Sequence, residues 1–93
     1  MIRSFGDKDT ESIYDNDRVR KYSTELQAAT RRKLRMIDIA GRLDNLRVPP
    51  NNRLEKLRGD REGFLSIRVN RQYRIVFRWQ DADAFYVRLT DYH

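Results

Sequence analysis

Three C-terminal segments, 64–70, 73–79 and 85–91, alternate apolar and polar residues, and a period of two commits each of them to a strand with one buried face. In the first, Leu65, Ile67 and Val69 fall on one side and Ser66, Arg68 and Asn70 on the other. In the second, Tyr73, Ile75, Phe77 and Trp79 oppose Arg74, Val76 and Arg78. In the third, Phe85, Val87 and Leu89 oppose Tyr86, Arg88 and Thr90, and the polar parity continues to Tyr92. Side by side, these strands give a core face and a second face carrying Arg68, Arg74, Arg78 and Arg88 with Tyr86 and Tyr92. Guanidinium groups interleaved with aromatic rings suit a polyanion whose bases can be stacked.

The rest of the chain supplies what covers the core face. Ile2 to Phe5 reads as a short first strand. Asp7 is placed to cap a helix through Tyr14, with acids in its first turn, and Asp15-Asn16-Asp17 ends it. Ser23 or Thr24 opens the longest helix, expected to run to about Leu43 with Gly41 near its end; Leu26, Ala29, Leu34, Ile37 and Ala40 form its apolar stripe. Val48-Pro49-Pro50-Asn51-Asn52 is neither helix nor central strand, because proline lacks a donor and restricts its predecessor. Residues 53–63, polar and punctuated by glycine, read as an ordered loop or short strand feeding the sheet. Asn70-Arg71-Gln72 and Gln80-Asp81-Ala82-Asp83-Ala84 are the two hairpin turns. The expected order is β-α-α-β-β-β, an α+β fold with two helices packed on one face of an antiparallel sheet. Ninety-three residues make a single domain, 1–93, without an inter-domain linker.

Composition narrows the chemistry. The net charge is +6, and sixteen of the twenty basic residues are arginine, the side chain that forks onto phosphate. The excess lies in residues 18–78, which points to nucleic acid, with an acidic protein surface as the competitor. Cysteine is absent and histidine occurs once, so disulfides, Cys-ligated zinc and a His-metal cluster are excluded. There is no Gly-x-x-x-x-Gly-Lys-Ser/Thr phosphate loop and no dinucleotide fingerprint. Asp7, Asp9, Asp15 and Asp17 lack the spacing and terminal glutamate of a calcium loop, and capping explains them better. No metal or cofactor is expected. The N-terminus lacks the apolar region of a secretory signal and no stretch is long enough to span a membrane, so a cytoplasmic location is the expectation.

Cleavage of RNA by its own 2′-hydroxyl needs a base, an acid for the departing 5′-oxygen, and cations for charge building on the phosphoryl oxygens. His93 is the one side chain here that titrates near neutrality unperturbed. It lies four residues beyond the strand residue Leu89, and a neighbouring α-carboxylate would orient it or raise its pKa. Tyr92 is placed to stack on a base, Asp91 to orient the imidazole or simply to finish the strand. Arg74 and Arg58 are candidates to face one phosphate, and Glu55 is a candidate base if arginines position it. Arg61, Arg68, Arg78, Arg88 and Tyr86 complete the expected RNA-binding set.

The start Met1-Ile2-Arg3-Ser4-Phe5, residues 53–63, the Ser66-Ile67-Arg68-Val69-Asn70 and Tyr73-Arg74-Ile75-Val76-Phe77 strands, and the final Asp91-Tyr92-His93 together resemble the HigB toxins of bacterial type II toxin–antitoxin modules, in the RelE/ParE superfamily, especially the GraT-type branch. The resemblance implies a compact microbial ribonuclease fold and a ribosome-dependent mRNA interferase that cuts messenger in the A site and halts translation. It implies a HigA-like helix-turn-helix antitoxin as partner, with operator DNA bound only through that antitoxin. By position, Arg74, Asp91, Tyr92 and His93 match the family's active-site pattern. Arg58 stands where many relatives have lysine, and Glu55 where the better-known branch has histidine, which leaves the identity of the base open. Within the superfamily the alternative is a ParE-like, non-enzymatic inhibitor of DNA gyrase; a third reading is a basic module that only binds an acidic antitoxin. The basic positions Arg18, Arg20, Lys21, Arg31, Arg32 and Arg35 are expected to serve antitoxin or ribosomal RNA contacts.

Overall fold

The computed structural model of the protein describes residues 1–92. Two helices, α1 (Lys8–Tyr14) and α2 (Thr24–Ile39), precede a four-stranded antiparallel sheet of β1 (Glu55–Lys56), β2 (Leu65–Arg68), β3 (Tyr73–Gln80) and β4 (Asp83–Asp91), whose spatial order follows the chain. Both helices start where their caps predict: the Asp7 carboxylate accepts from the Thr10 N–H at 2.8 Å, and the Ser23 hydroxyl from the Leu26 N–H at 3.0 Å. α2 ends four residues before the expected Leu43. Ala40 turns extended, and the Asn45 side chain accepts from the Arg42 N–H, opening a separate 3-10 turn over Leu43–Arg47.

The core lies between the helices and one sheet face. Leu65 pairs with Phe77, Ile67 with Ile75 and Ile75 with Leu89, and these side chains meet Ile13, Leu26, Leu34 and Ile37 from the helices. The β-α-α-β-β-β order needs amending at both ends of the sheet. Ile2 to Phe5 is not a continuous strand: it lies parallel to β4 and touches it through two isolated bridges, Ile2 with Ala84 and Phe5 with Val87. At the other edge, the loop or short strand expected over residues 53–63 includes a strand, β1, paired with β2 through Glu55–Ser66 and Lys56–Leu65.

A bulge explains the broken edge and one wrong face. Between Val76–Arg88 and Arg78–Phe85 the register of β3 and β4 slips, and Tyr86 sits there at φ +55°. The extra residue reverses the parity of β4 on its far side. Val87 keeps its expected place in the core, but beyond the bulge Ala84 is the fully buried residue and Phe85, expected in the core, lies opposite Arg78 on the arginine face. The bulged backbone also frees the Tyr86 N–H to donate to the Ser4 hydroxyl at 2.9 Å. Further along β4, the Leu89 N–H is satisfied at 2.9 Å by the buried Thr10 hydroxyl of α1, which docks that helix on the sheet.

Candidate active site

Arg74 occupies the middle of the face away from the helices, yet it is buried, because the connector between α2 and β1 folds over it. Its Nε donates to the Ser66 hydroxyl at 2.7 Å, and its Nη2 donates to the Arg53 carbonyl at 2.6 Å. Nη1 points at the Glu55 carboxylate, 3.6 Å away. The fork is thus fixed on one side, and Nη1 is its least committed nitrogen. Arg53 reaches its position through a left-handed backbone (φ +46°) at the end of a short 3-10 turn, Pro50–Asn52. Asn52 anchors that turn: fully buried, it donates from Nδ2 to the Leu46 carbonyl at 3.1 Å and accepts from the Lys33 ammonium of α2. Burial lowers the Lys33 pKa from its ordinary value, and the charge of nearby Arg32 adds to the effect.

The Tyr92 ring lies beside this guanidinium. The centre of the Arg74 guanidinium is 5.6 Å from the ring centroid and that of Arg61 is 5.8 Å, so the phenol sits among cations with part of its surface open. Its N–H continues the ladder by donating to the Gln72 carbonyl at 2.7 Å. Arg53, Arg68, Arg71, Arg74 and Tyr92 line a shallow cleft of about 250 Å³. Asp91 pairs with Tyr73 in the register and accepts from the Gln72 amide at 3.0 Å, which puts it on the opposite parity from Tyr92. His93 lies outside the described residues.

The remaining expected residues fall into separate groups. Arg58 lines a neighbouring cleft of about 800 Å³ together with Glu55, Leu57, Phe64 and Trp79. Glu55 therefore borders both the Arg74 guanidinium and the Arg58 cleft. Arg78 stacks over the Phe64 ring at 4.7 Å. Arg88 is drawn to the N-terminal edge, where its Nε lies 3.7 Å from the Asp7 carboxylate, and Tyr86 is exposed at the bulge. Arg74, Tyr92, Glu55, Arg61 and Arg68 thus converge, whereas Arg88 and Tyr86 sit toward the far edge. Of the basic residues assigned to outer contacts, Arg18 spends one nitrogen on the Val19 and Tyr22 carbonyls and the Gln27 side chain, and Lys21 pairs with Asp9 at 2.8 Å.

Ser66, the Arg53 carbonyl, Asn52 and Arg71 belong to this site and were not expected there. The polar parity of Ser66 inside an apolar strand was the available signal; a backbone carbonyl leaves none. Among the described residues no group of three or more His, Cys, Asp or Glu is placed to hold a metal ion, and no helix is long and apolar enough to cross a membrane.

Residues 3–93 match the model of a family described as the RelE-like toxin of the type II toxin–antitoxin system HigB. The chain belongs to this family. It is 44% identical over 85 residues to Toxin HigB-1 of Vibrio cholerae, covering 90% of both chains. It is 30% identical to Endoribonuclease HigB of Proteus vulgaris over the full length of both. In three dimensions it resembles a chain of the YoeB-YefM complex from Staphylococcus aureus, with a TM-score of 0.63 at 17% identity, covering 100% of this chain and 98% of that one, which carries the fold alone. As a HigB-like toxin, the protein is one half of a toxin–antitoxin pair.

Proposed function

We propose that this HigB-like toxin is an endoribonuclease that cuts messenger RNA on the ribosome, in the cytoplasm, and that it does so without a metal. The observation that carries the reading is Arg74: a guanidinium held by Ser66 and Arg53 on one side and lying beside the Tyr92 ring in an open cleft. A fixed cation costs no reorganisation when charge develops on a phosphoryl group, which makes it an effective stabiliser of the transition state. The 2′-hydroxyl oxygen forms the new bond to phosphorus as its proton passes to a base; the bond to the 5′-oxygen breaks, and that oxygen takes up a proton. The products are a 2′,3′-cyclic phosphate and a 5′-hydroxyl.

In this scheme His93 transfers protons, with Asp91 orienting it, and Glu55 is the second candidate base because Arg74 lies beside it. Arg74 and Arg58 counter the phosphoryl charge and Tyr92 stacks on a base. Arg61 and Arg68 hold the adjoining backbone, and Arg78, Arg88 and Tyr86 extend the contact along the sheet. A HigA-like helix-turn-helix antitoxin is the proposed partner, through which alone the pair binds operator DNA. Since Arg18 and Lys21 are engaged within the fold, Arg20, Arg31, Arg32 and Arg35 are the basic residues left to meet ribosomal RNA or antitoxin.

The membership is in the HigB-like family rather than among gyrase inhibitors, and one experiment separates the two outcomes. Messenger 5′ ends are mapped after brief induction of the wild type, Arg74→Ala, and a chain lacking His93. Cuts that need translation and fade in both variants are expected. Intact messenger accompanied by altered DNA topology would replace the nuclease with gyrase inhibition.

A further inference from the structure

The cleft at Arg74 and Tyr92 does not end at the sheet. It shares Arg68, Asn70 and Arg71 with a second cleft of about 550 Å³ that passes over the β2–β3 turn to α2, where Arg32, Lys33 and Met36 line it. Among the described residues, none that lines either cleft is acidic. The turn that joins them is braced: the Asn70 side chain accepts from the N–H groups of Gln72 and Tyr73, both at 2.8 Å, and the Asn70 carbonyl accepts from Arg68 Nε at 3.0 Å. Lys33 is held by Asn52, the residue that also anchors the turn leading to the Arg53 carbonyl.

We propose that this second cleft is a binding subsite for the single-stranded RNA that flanks the scissile phosphate, with Arg32, Lys33, Arg68 and Arg71 tracking its backbone. The proposal rests on the nuclease reading of the Arg74 site. A row of cations continuous with the cleft at the reacting phosphate is what a single strand requires, since its charges recur at every nucleotide. Met36 and Val69 offer a small apolar floor for a base. A protein partner fits less well, because protein interfaces centre on aromatic anchors and deplete charge at their cores, and no described residue lining this cleft is aromatic.

The test uses the full-length protein and 2′-O-methylated oligouridylates of three and seven nucleotides, which bind without being cut. Affinity is read by fluorescence anisotropy across a salt series. The seven-mer is expected to bind at least tenfold tighter than the three-mer. Its salt dependence should be steeper, by about 0.7 in log–log slope for each added phosphate contact. Arg32→Ala should remove about one such step from the seven-mer and leave the three-mer unchanged; Arg71→Ala, at the shared wall, should weaken both. A seven-mer no tighter than the three-mer, or one indifferent to Arg32→Ala, overturns the subsite. So does a poly-glutamate peptide that binds tighter than the seven-mer and loses that advantage in Arg32→Ala, which would give the cleft to an acidic protein segment. Messenger cleavage by the wild type in a translating extract is scored in parallel. Cuts without length-dependent binding sink the subsite alone, whereas absence of cuts sinks the nuclease reading whatever the binding shows.

Discussion

A buried guanidinium is costly unless its donors are met, and Arg74 meets this condition with a hydroxyl and a carbonyl rather than a carboxylate on its two shortest bonds. Neutral acceptors fix the group without cancelling its charge, and its ion-pair partner among the described residues, Glu55, stands off at 3.6 Å. Lysine has no fork with which to hold Ser66 and Arg53 together. Arg74→Lys should therefore lower messenger cleavage by about 10²-fold, in the range seen when one preorganised charge-stabilising donor is lost, with the folded far-ultraviolet spectrum retained. Ser66→Ala should act on both properties at once. It strands Nε in a buried setting, which costs about 1–3 kcal/mol, read as a lower urea midpoint, and loosens the guanidinium, read as slower cleavage at saturating message. For Tyr92, phenylalanine should preserve cleavage better than alanine, since the ring and not the hydroxyl does the stacking. Arg74 and Tyr92 were legible in the sequence because strand parity put them on one face. Ser66 shared that face, but its complete burial was not legible: residues 50–53 cover it through a left-handed turn at Arg53, and nothing in an arginine side chain announces such a backbone.

At the level of elements, alternation located β2 and β3 correctly and failed within β4. Alternation assumes one residue per pleat, and the bulge at Tyr86 spends two against one. The sequence carries no glycine there to mark it, and the left-handed conformation is taken by a tyrosine. What maintains it is the N-terminal segment: Ser4 receives the Tyr86 N–H on its hydroxyl and the Val87 N–H on its carbonyl at 3.1 Å, so the bulge and the parallel edge support each other. The β3–β4 hairpin closes through Asp81 and Ala82, at φ +51° and +69°, a two-residue turn in which both residues are left-handed. Alanine is poorly suited to the second position and glycine well suited. Ala82→Gly should thus stabilise the fold by about 1 kcal/mol, the relief of backbone strain outweighing the extra freedom of the unfolded chain, and raise the urea midpoint with an unchanged slope. A lower midpoint would mean that the turn tolerates alanine at no cost.

Across the whole molecule, a single carboxylate ties the first residues to both helices. Asp38 of α2 accepts from the Ile2 N–H at 2.8 Å and from the Tyr14 hydroxyl of α1 at 2.5 Å, so it secures the segment that flanks β4 and the end of the helix that docks on β4. Burial by itself would raise the Asp38 pKa. The two hydrogen bonds, with the N-terminal ammonium and Arg35, outweigh it and hold the carboxyl below its ordinary value of 3.8. The Tyr14 phenol moves the other way, up to about 12, through burial first and then through its bond to Asp38 and the charge of that carboxylate. A depressed carboxyl contributes stability above its unfolded pKa and loses it as pH falls through the folded value; a raised phenol contributes below pH 10 and loses it as pH climbs toward 12. The clasp is therefore at full strength between about pH 5 and pH 9, with carboxyl and phenol setting its two limits. Tyr14→Phe should cost about 1 kcal/mol at pH 7, and Asp38→Asn more, because the amide also weakens the Ile2 contact. The decisive measurement is the urea midpoint from pH 6 down to pH 2. In the wild type it should fall with a component that Asp38→Asn lacks, so the two curves converge in acid. Curves that stay parallel would show that Asp38 titrates alike folded and unfolded, and that its charge does not clasp the N-terminal segment.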